Sequence, residues 1–224
     1  MTRAELARLI DHSVLKPEST AQEIRAGADI VHAWHAGYYC VQPCWVSLAA
    51  EALRGTDARV VTVIGFPHGC DSPEVKRLAT TIAVADGAEE IDMVMNFGAL
   101  RSARATLVAA DVEGVVLAAQ GLPVKVILET AALTDDEKRL ACRLACEAGA
   151  AFVKTSTGFH AGGGATVADV RVLRAAVGPA VGVKASGGIR TLADVLAMIE
   201  AGANRIGTSA TAAIIAAIQP PRCP

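Results

Sequence analysis

The sequence predicts an α/β fold, a single-domain (β/α)8 barrel of the TIM type spanning residues 1–224. Three observations carry that expectation. Short β-rich runs alternate with helical stretches from end to end, and eight strands each followed by a helix require a parallel sheet, because parallel neighbours need crossover connections. The 224 residues fit the compact end of closed barrels, which begin at roughly 200. A GxGxxG turn opening the first unit, which would favour an open doubly wound sheet, is missing. No Pro/Ser-rich linker divides the chain.

Taken in order, the strands are expected at residues 9–12, 38–42, 60–65, 90–95, 124–129, 151–154, 181–184 and 205–206. Between them, apolar residues at helical spacing mark residues 21–35, 72–86, 102–120, 135–148, 167–177 and 191–201. Thr134-Asp135-Asp136-Glu137 reads as a capping box, and Gly149 follows the helix it opens. The segments Ala85-Asp86-Gly87-Ala88, Glu147-Ala148-Gly149-Ala150 and Glu200-Ala201-Gly202-Ala203 repeat one device, a glycine closing a helix just before the next strand.

Apolar residues make up 52% of the chain and aromatics 4%, so the core is expected to be aliphatic and alanine-rich. Lys+Arg 21 against Asp+Glu 23 leaves a net charge of −2. Without a basic surplus there is no electrostatic footprint for nucleic acid or an anionic membrane. The N-terminus lacks the apolar core of a signal peptide. The most apolar stretch, residues 206–218, is broken by Gly207, Thr208 and Ser209 and falls short of the ~18 residues of a span. Cys40, Cys44, Cys70, Cys142, Cys146 and Cys223 are sparse for a secreted scaffold, so free thiols and a cytoplasmic location are expected.

Chemistry is expected where a buried strand carries ionisable residues. In Ile91-Asp92-Met93-Val94-Met95, alternation puts Glu90, Asp92 and Val94 on one face. Asp92 then points into the barrel, or else caps the loop at the strand end. Ala151-Phe152-Val153-Lys154 and Val181-Gly182-Val183-Lys184 each end in lysine before a loop of small residues. A lone strand-end lysine is ordinarily a solvated boundary. Two of them, two βα units apart, would point at one barrel mouth, where active sites collect.

An ordinary lysine is protonated and cannot attack a carbonyl. A second ammonium ~4 Å away, at an effective dielectric of ~20, costs about 4 kcal/mol. That is enough to bring such an amine from its usual ~10.4 to near neutral pH. The result is a nucleophile suited to a Schiff base, with Asp92 as an acid/base partner acting directly or through water. Ser186-Gly187-Gly188-Ile189-Arg190 and Gly207-Thr208-Ser209 follow strands seven and eight, where barrels bind phosphate; the alternative is a pair of ordinary strand-to-helix turns.

Other candidates are weaker. His32 and His35 lie three apart on a helix without a third ligand. Cys40/Cys44 and Cys142/Cys146 share a spacing, but the second pair lies inside a helical stretch, and no metal is expected. Cys40, near the end of strand two, hints at a reactive thiol at the mouth. Gly162-Gly163-Gly164 reads as a flexible loop before a helix.

The chain resembles the deoxyribose-phosphate aldolases, the DeoC-type class I aldolases. The resemblance rests on Ile10-Asp-His-Ser-Val-Leu-Lys-Pro17, Ile64-Gly-Phe-Pro-His-Gly69, Glu89-Glu-Ile-Asp-Met-Val-Met-Asn96, Val126-Ile-Leu-Glu-Thr130, Phe152-Val-Lys-Thr-Ser-Thr-Gly158, Val183-Lys-Ala-Ser-Gly-Gly-Ile-Arg190 and Arg205-Ile-Gly-Thr-Ser209. It implies reversible cleavage of 2-deoxy-D-ribose 5-phosphate to acetaldehyde and D-glyceraldehyde 3-phosphate, without metal or cofactor. It assigns Lys154 as the Schiff-base lysine, Lys184 as its perturbing neighbour and Asp92 as the acid/base partner. Gly158, Gly187, Gly188, Gly207, Thr208 and Ser209 would hold the phosphate.

Departures are visible. The tail lacks the C-terminal tyrosine of some members, Ala210 stands where many carry serine, and Gln42 replaces an asparagine. A phosphosugar-binding barrel without turnover and a metal-assisted isomerase or aldolase are the competing readings. The implied partners are small phosphorylated sugars and aldehydes, together with a possible homodimer. The apolar segment 210–218 would cover either its own barrel or a neighbouring subunit.

Overall fold

The computed structural model describes residues 1–218. The tail from Gln219, with Cys223 and the position of the absent tyrosine, lies outside them. Eight strands, β1 (Ile10–Val14), β2 (Tyr38–Val41), β3 (Arg59–Ile64), β4 (Glu90–Val94), β5 (Val124–Ile127), β6 (Phe152–Lys154), β7 (Gly182–Ser186) and β8 (Arg205–Thr208), form a closed barrel in sequence order. Every ladder is parallel, and β8 closes on β1 through Asp11 opposite Gly207.

Around the strands run α1 (Arg3–Ala7), α2 (Ala21–Trp34), α3 (Val46–Ala52), α4 (Pro73–Ala85), α5 (Phe97–Arg101), α6 (Ala105–Ala118), α7 (Asp135–Glu147), α8 (Val167–Val177), α9 (Leu192–Glu200) and α10 (Thr211–Ala216). Their starts follow local chemistry. Thr20 with Glu23, Thr134 with Glu137 and Thr191 with Asp194 form capping boxes, while Ser72 caps α4 ahead of Pro73. The repeated helix-ending glycine also behaves as expected. Gly87, Gly149 and Gly202 take left-handed φ, and the next amide bonds back to the carbonyl of Ala83, Ala145 or Met198.

Strand alternation sorts the barrel into two layers. Outward residues such as Val60, Ile91, Met93, Val126, Val153, Val183 and Ile206 join the helices in one large apolar core. Inward, a small apolar cluster of Leu15, Cys40, Val61 and Val63 shares the barrel with the charged residues described below. Gly27 of α2 lets Tyr39 of β2 lie close: a Cβ there would stand 2.3 Å from the Tyr39 hydroxyl, which donates to the Ile24 carbonyl.

Several boundaries differ from the sequence reading. The helix expected over residues 102–120 is α6, which begins only at Ala105; a separate short helix, α5, precedes it, and Ala103 at φ 57 stands between the two. After β2, Pro43 opens a short 3-10 turn running into α3, a helix that the sequence reading did not include. The segment after β8 covers its own barrel: Ile214 and Ile215 of α10 are buried, and α10 packs on α1 and α2. Among the described residues no helix is long and apolar enough to cross a membrane.

Candidate active site

Asp92, Lys154 and Lys184 converge inside the barrel. Lys154 and Lys184 lie one βα unit apart, not two: they stand directly opposite one another on the neighbouring strands β6 and β7, so period-2 alternation sends both inward at the same height. Asp92 Oδ2 accepts from both ammonium groups at 2.7 Å. All three side chains are buried. Of the two positions open to Asp92, the interior is the one it takes.

The immediate surroundings hold more charge than the sequence reading included. Asp92 Oδ1 accepts from Lys125 of β5 at 2.9 Å, and Lys125 also meets Glu90 Oε2 at 2.5 Å. Glu90 in turn accepts from Arg205 of β8 at 2.9 Å. On the other side, Lys184 is bound to Asp11 of β1. Four buried cations (Lys125, Lys154, Lys184, Arg205) and three buried carboxylates (Asp11, Glu90, Asp92) thus form one connected set.

This arrangement corrects the expectation of two lysines perturbing each other alone. Burial pushes the Asp92 carboxyl up, but Lys125, Lys154 and Lys184 together hold it well below the usual carboxylate range. Burial works against charge on Lys184, yet Asp11 and Asp92 more than offset it and push its ammonium up. Lys184 is therefore a firmly held cation with two carboxylate partners, whereas Lys154 has a single one, shared. The connected set carries one positive charge over, and an uncharged Lys154 leaves it balanced.

Above this set lies a cavity of about 620 Å³. Lys154 is on its wall, and Lys184 and Asp92 lie behind it. Gly158, Gly187, Gly188, Gly207, Thr208 and Ser209 all line it, as do His12 and Leu15. Gln42 holds the β1 loop in place, its amide donating to the Leu15 carbonyl at 2.8 Å. Gly207 points toward Lys184, whose Cε would be 3.2 Å from an added Cβ.

The loops after β6, β7 and β8 are bound to one another. Ser186 donates from its amide to Thr155 Oγ1 at 3.1 Å and from its hydroxyl to the Ser156 carbonyl at 2.6 Å. The Thr208 hydroxyl donates to the Ile189 carbonyl at 2.7 Å and accepts from the Ala210 amide at 3.0 Å. That hydroxyl is therefore committed to the fold, leaving Ser209 as the hydroxyl of this loop available to a ligand. Gly162-Gly163-Gly164 is not a free loop: Gly164 lies against Gly187, where a Cβ would come 2.2 Å from the Gly187 carbonyl oxygen. The Ala165 amide donates to Ser186 and Gly187.

Other candidates fall away from the chemistry. Cys40 is wholly buried inside the barrel near Asp11 and Asp92, and burial pushes its thiol up to about 12, which removes the expectation of a reactive thiol. His32 and His35 are exposed on α2 and its C-cap. Among the described residues no group of His, Cys, Asp or Glu gathers that could hold a metal. His12, stacked on Tyr39, is pushed down to about 4 by burial and is neutral. Asp11, Lys125 and Arg205 were passed over in the sequence, and Glu90 was placed on the Asp92 face without a role, although Ile10-Asp11-His12 and Val124-Lys125-Val126 carry the same signal as Asp92, a charge inside a strand.

The model of the DeoC/LacD family aldolases matches residues 6–216. The chain belongs to that family. Among DeoC/LacD relatives, deoxyribose-phosphate aldolase 1 of Bacillus licheniformis is 54% identical over 94% of this chain and 95% of its own length. The deoxyribose-phosphate aldolase of Enterococcus faecalis is 54% identical over 94% and 96%. Among solved structures, the deoxyribose phosphate aldolase of Aeropyrum pernix, described as tetrameric, superposes with a TM-score of 0.89. It is 31% identical and covers 96% of this chain and 91% of that one. Family membership thus agrees with the motif resemblance, and the closed barrel agrees with the family's solved members.

Proposed function

We propose that this chain, acting as one catalytic domain, is a Schiff-base aldolase that reversibly cleaves 2-deoxy-D-ribose 5-phosphate to acetaldehyde and D-glyceraldehyde 3-phosphate. The deoxyribose-phosphate aldolases that match nearly its whole length support the activity. The observation that carries the mechanism is the sharing of one Asp92 oxygen by Lys154 and Lys184 at the floor of the cavity.

In this reading Lys154 attacks the C1 aldehyde of the open-chain sugar, and water leaves to give an iminium. The C3 hydroxyl loses its proton, through water, toward Asp92. The C2–C3 bond breaks, and its electron pair moves into the iminium to form an enamine while C3 becomes the aldehyde of the phosphorylated product. Protonation at C2 and hydrolysis release acetaldehyde and the free lysine. Lys184 keeps its charge throughout, stabilises Asp92 as a carboxylate and favours an uncharged Lys154. The glycines of the three loops bring backbone amides to the phosphate, with Ser209 adding a hydroxyl.

Release of acetaldehyde from the sugar phosphate tests the reading: Lys154→Ala reduces it to background, and turnover that survives this change refutes it. We further read the protein as cytoplasmic, in keeping with the free thiols of Cys40, Cys44, Cys70, Cys142 and Cys146, and as a homodimer. The exposed Val75, Leu78 and Ile82 along one side of α4 support the second reading, and light scattering at twice the chain mass checks it.

A further inference from the structure

One buried carboxylate has no part in the scheme above. Glu90 lies two residues before Asp92 on β4, on the same inward face, and is 2% exposed. It does not line the cavity. Cations face it from three strands. Lys125 of β5 meets Oε2 at 2.5 Å, Arg205 of β8 donates to the same oxygen at 2.9 Å, and the half-exposed Arg59 of β3 reaches Oε1 at 4.0 Å. Asp92 is the remaining charged group on its face of β4. Arg205 is itself immobilised, its guanidinium 3.2 Å over the ring of Tyr38 from β2 and 5.1 Å from that of Phe152 from β6.

The consequence is mechanical. A clamped guanidinium fixes Glu90, and Glu90 fixes one side of the Lys125 ammonium. The other side of that ammonium then takes Asp92 Oδ1 at 2.9 Å. With Oδ1 occupied, the carboxylate cannot rotate, and Oδ2 alone serves Lys154 and Lys184.

We propose that Glu90 is a positioning residue of this active site: through Lys125 it fixes the orientation of Asp92, and it supplies one of the three negative charges that set the electrostatic balance around Lys154. This inference rests on the Schiff-base reading. Two consequences separate it from a role in stability alone.

Geometrically, Glu90→Gln and Glu90→Asp both slacken the strut. Misplacement of a reacting group by about 1 Å costs on the order of 10²-fold in rate, so kcat falls on that scale while KM, set in a cavity Glu90 does not touch, stays within about twofold. Electrostatically, Glu90→Gln makes the connected set more positive, which disfavours the protonated amine and moves the acid limb of kcat/KM to lower pH. Arg205→Gln removes a cation and moves the limb to higher pH. One charge roughly 10 Å away at an effective dielectric of ~20 gives a displacement of about one pH unit. Glu90→Asp keeps the charge, so its limb stays in place although its kcat falls.

The experiment is the pH profile of kcat/KM for cleavage by the wild type and the three variants, with borohydride trapping of acetaldehyde on the wild type. Opposite displacements in Glu90→Gln and Arg205→Gln, with Glu90→Asp unmoved, are the expected result. Limbs that stay put or move in the same direction overturn the proposal. Should Glu90→Gln not fold, the profiles of Arg205→Gln and Glu90→Asp decide the matter by the same criteria. A wild type that traps no adduct on Lys154 refutes the Schiff-base reading instead, so the two failures are distinct.

Discussion

His12 shows how far burial sets the charge of a single side chain at this mouth. It lies 3% exposed against Tyr39, its Nδ1 within 2.9 Å of Thr211 Oγ1, and burial brings it down from 6.5 to about 4. Between those values the unfolded chain binds a proton that the folded chain refuses. Stability therefore rises with pH across this window and is lost as pH falls from about 6.5 toward 4. The loss amounts to as much as about 3 kcal/mol for one group. Urea unfolding of His12→Asn should show a shallower decline between pH 6.5 and 4.5 than the wild type. Equal slopes would mean that His12 titrates normally in the fold. That Lys154, Lys184 and Asp92 meet inside the barrel was legible from charge inside apolar strands, but the partners that set the charge at each were not. Asp11 is far away in sequence and only barrel closure sets it beside Lys184, while Lys125 meets Asp92 as its register partner on the neighbouring strand β5.

Among the elements, those with strong local signals were readable and those imposed by packing were not. The capping box at Thr134 located the start of α7, and the same device opens α2 and α9 in the structure. The break between α5 and α6 falls at Ala103, a residue with no preference for the left-handed φ it adopts, so nothing local announced it. The close crossing of α2 over β2 is likewise a packing fact, carried by Gly27 and Tyr39. Gly27→Ala should cost about 1–3 kcal/mol through overpacking, against the small helical gain expected of alanine. The cost should shrink in a Tyr39→Phe background, where the hydroxyl 2.3 Å from the new methyl is gone. A double-mutant cycle by chemical denaturation reads the coupling, and strictly additive changes would show that the contact does not limit the helix's approach.

At the scale of the whole molecule, the barrel reverses the usual order of a core. Its outer layer is aliphatic, while its axis carries a run of alternating charges from Arg205 through Glu90, Lys125 and Asp92 to the two lysines and Asp11. The closed sheet was legible because each strand is followed by a helix. The cavity above was legible only as two glycine-rich loops, since the Gly164–Gly187 contact joins segments separated in sequence. Ligand occupancy at those loops should stabilise the fold by mass action, by about 2.7 kcal/mol at a hundred times Kd. Inorganic phosphate should raise Tm in the wild type, and Gly187→Ala, placing a methyl at φ +89 and 2.9 Å from the Gly164 Cα, should abolish that rise. An equal rise in both would remove this loop from the phosphate site.

The central claim is that one buried lysine, poised between carboxylates and a second lysine, is the amine that bonds to substrate. Borohydride reduction in the presence of acetaldehyde, followed by peptide mass mapping, tests it most directly. The account predicts a single ethyl adduct on Lys154, absent from Lys154→Arg. An adduct on Lys184 or Lys125 in place of Lys154, or none on an active enzyme, would contradict it.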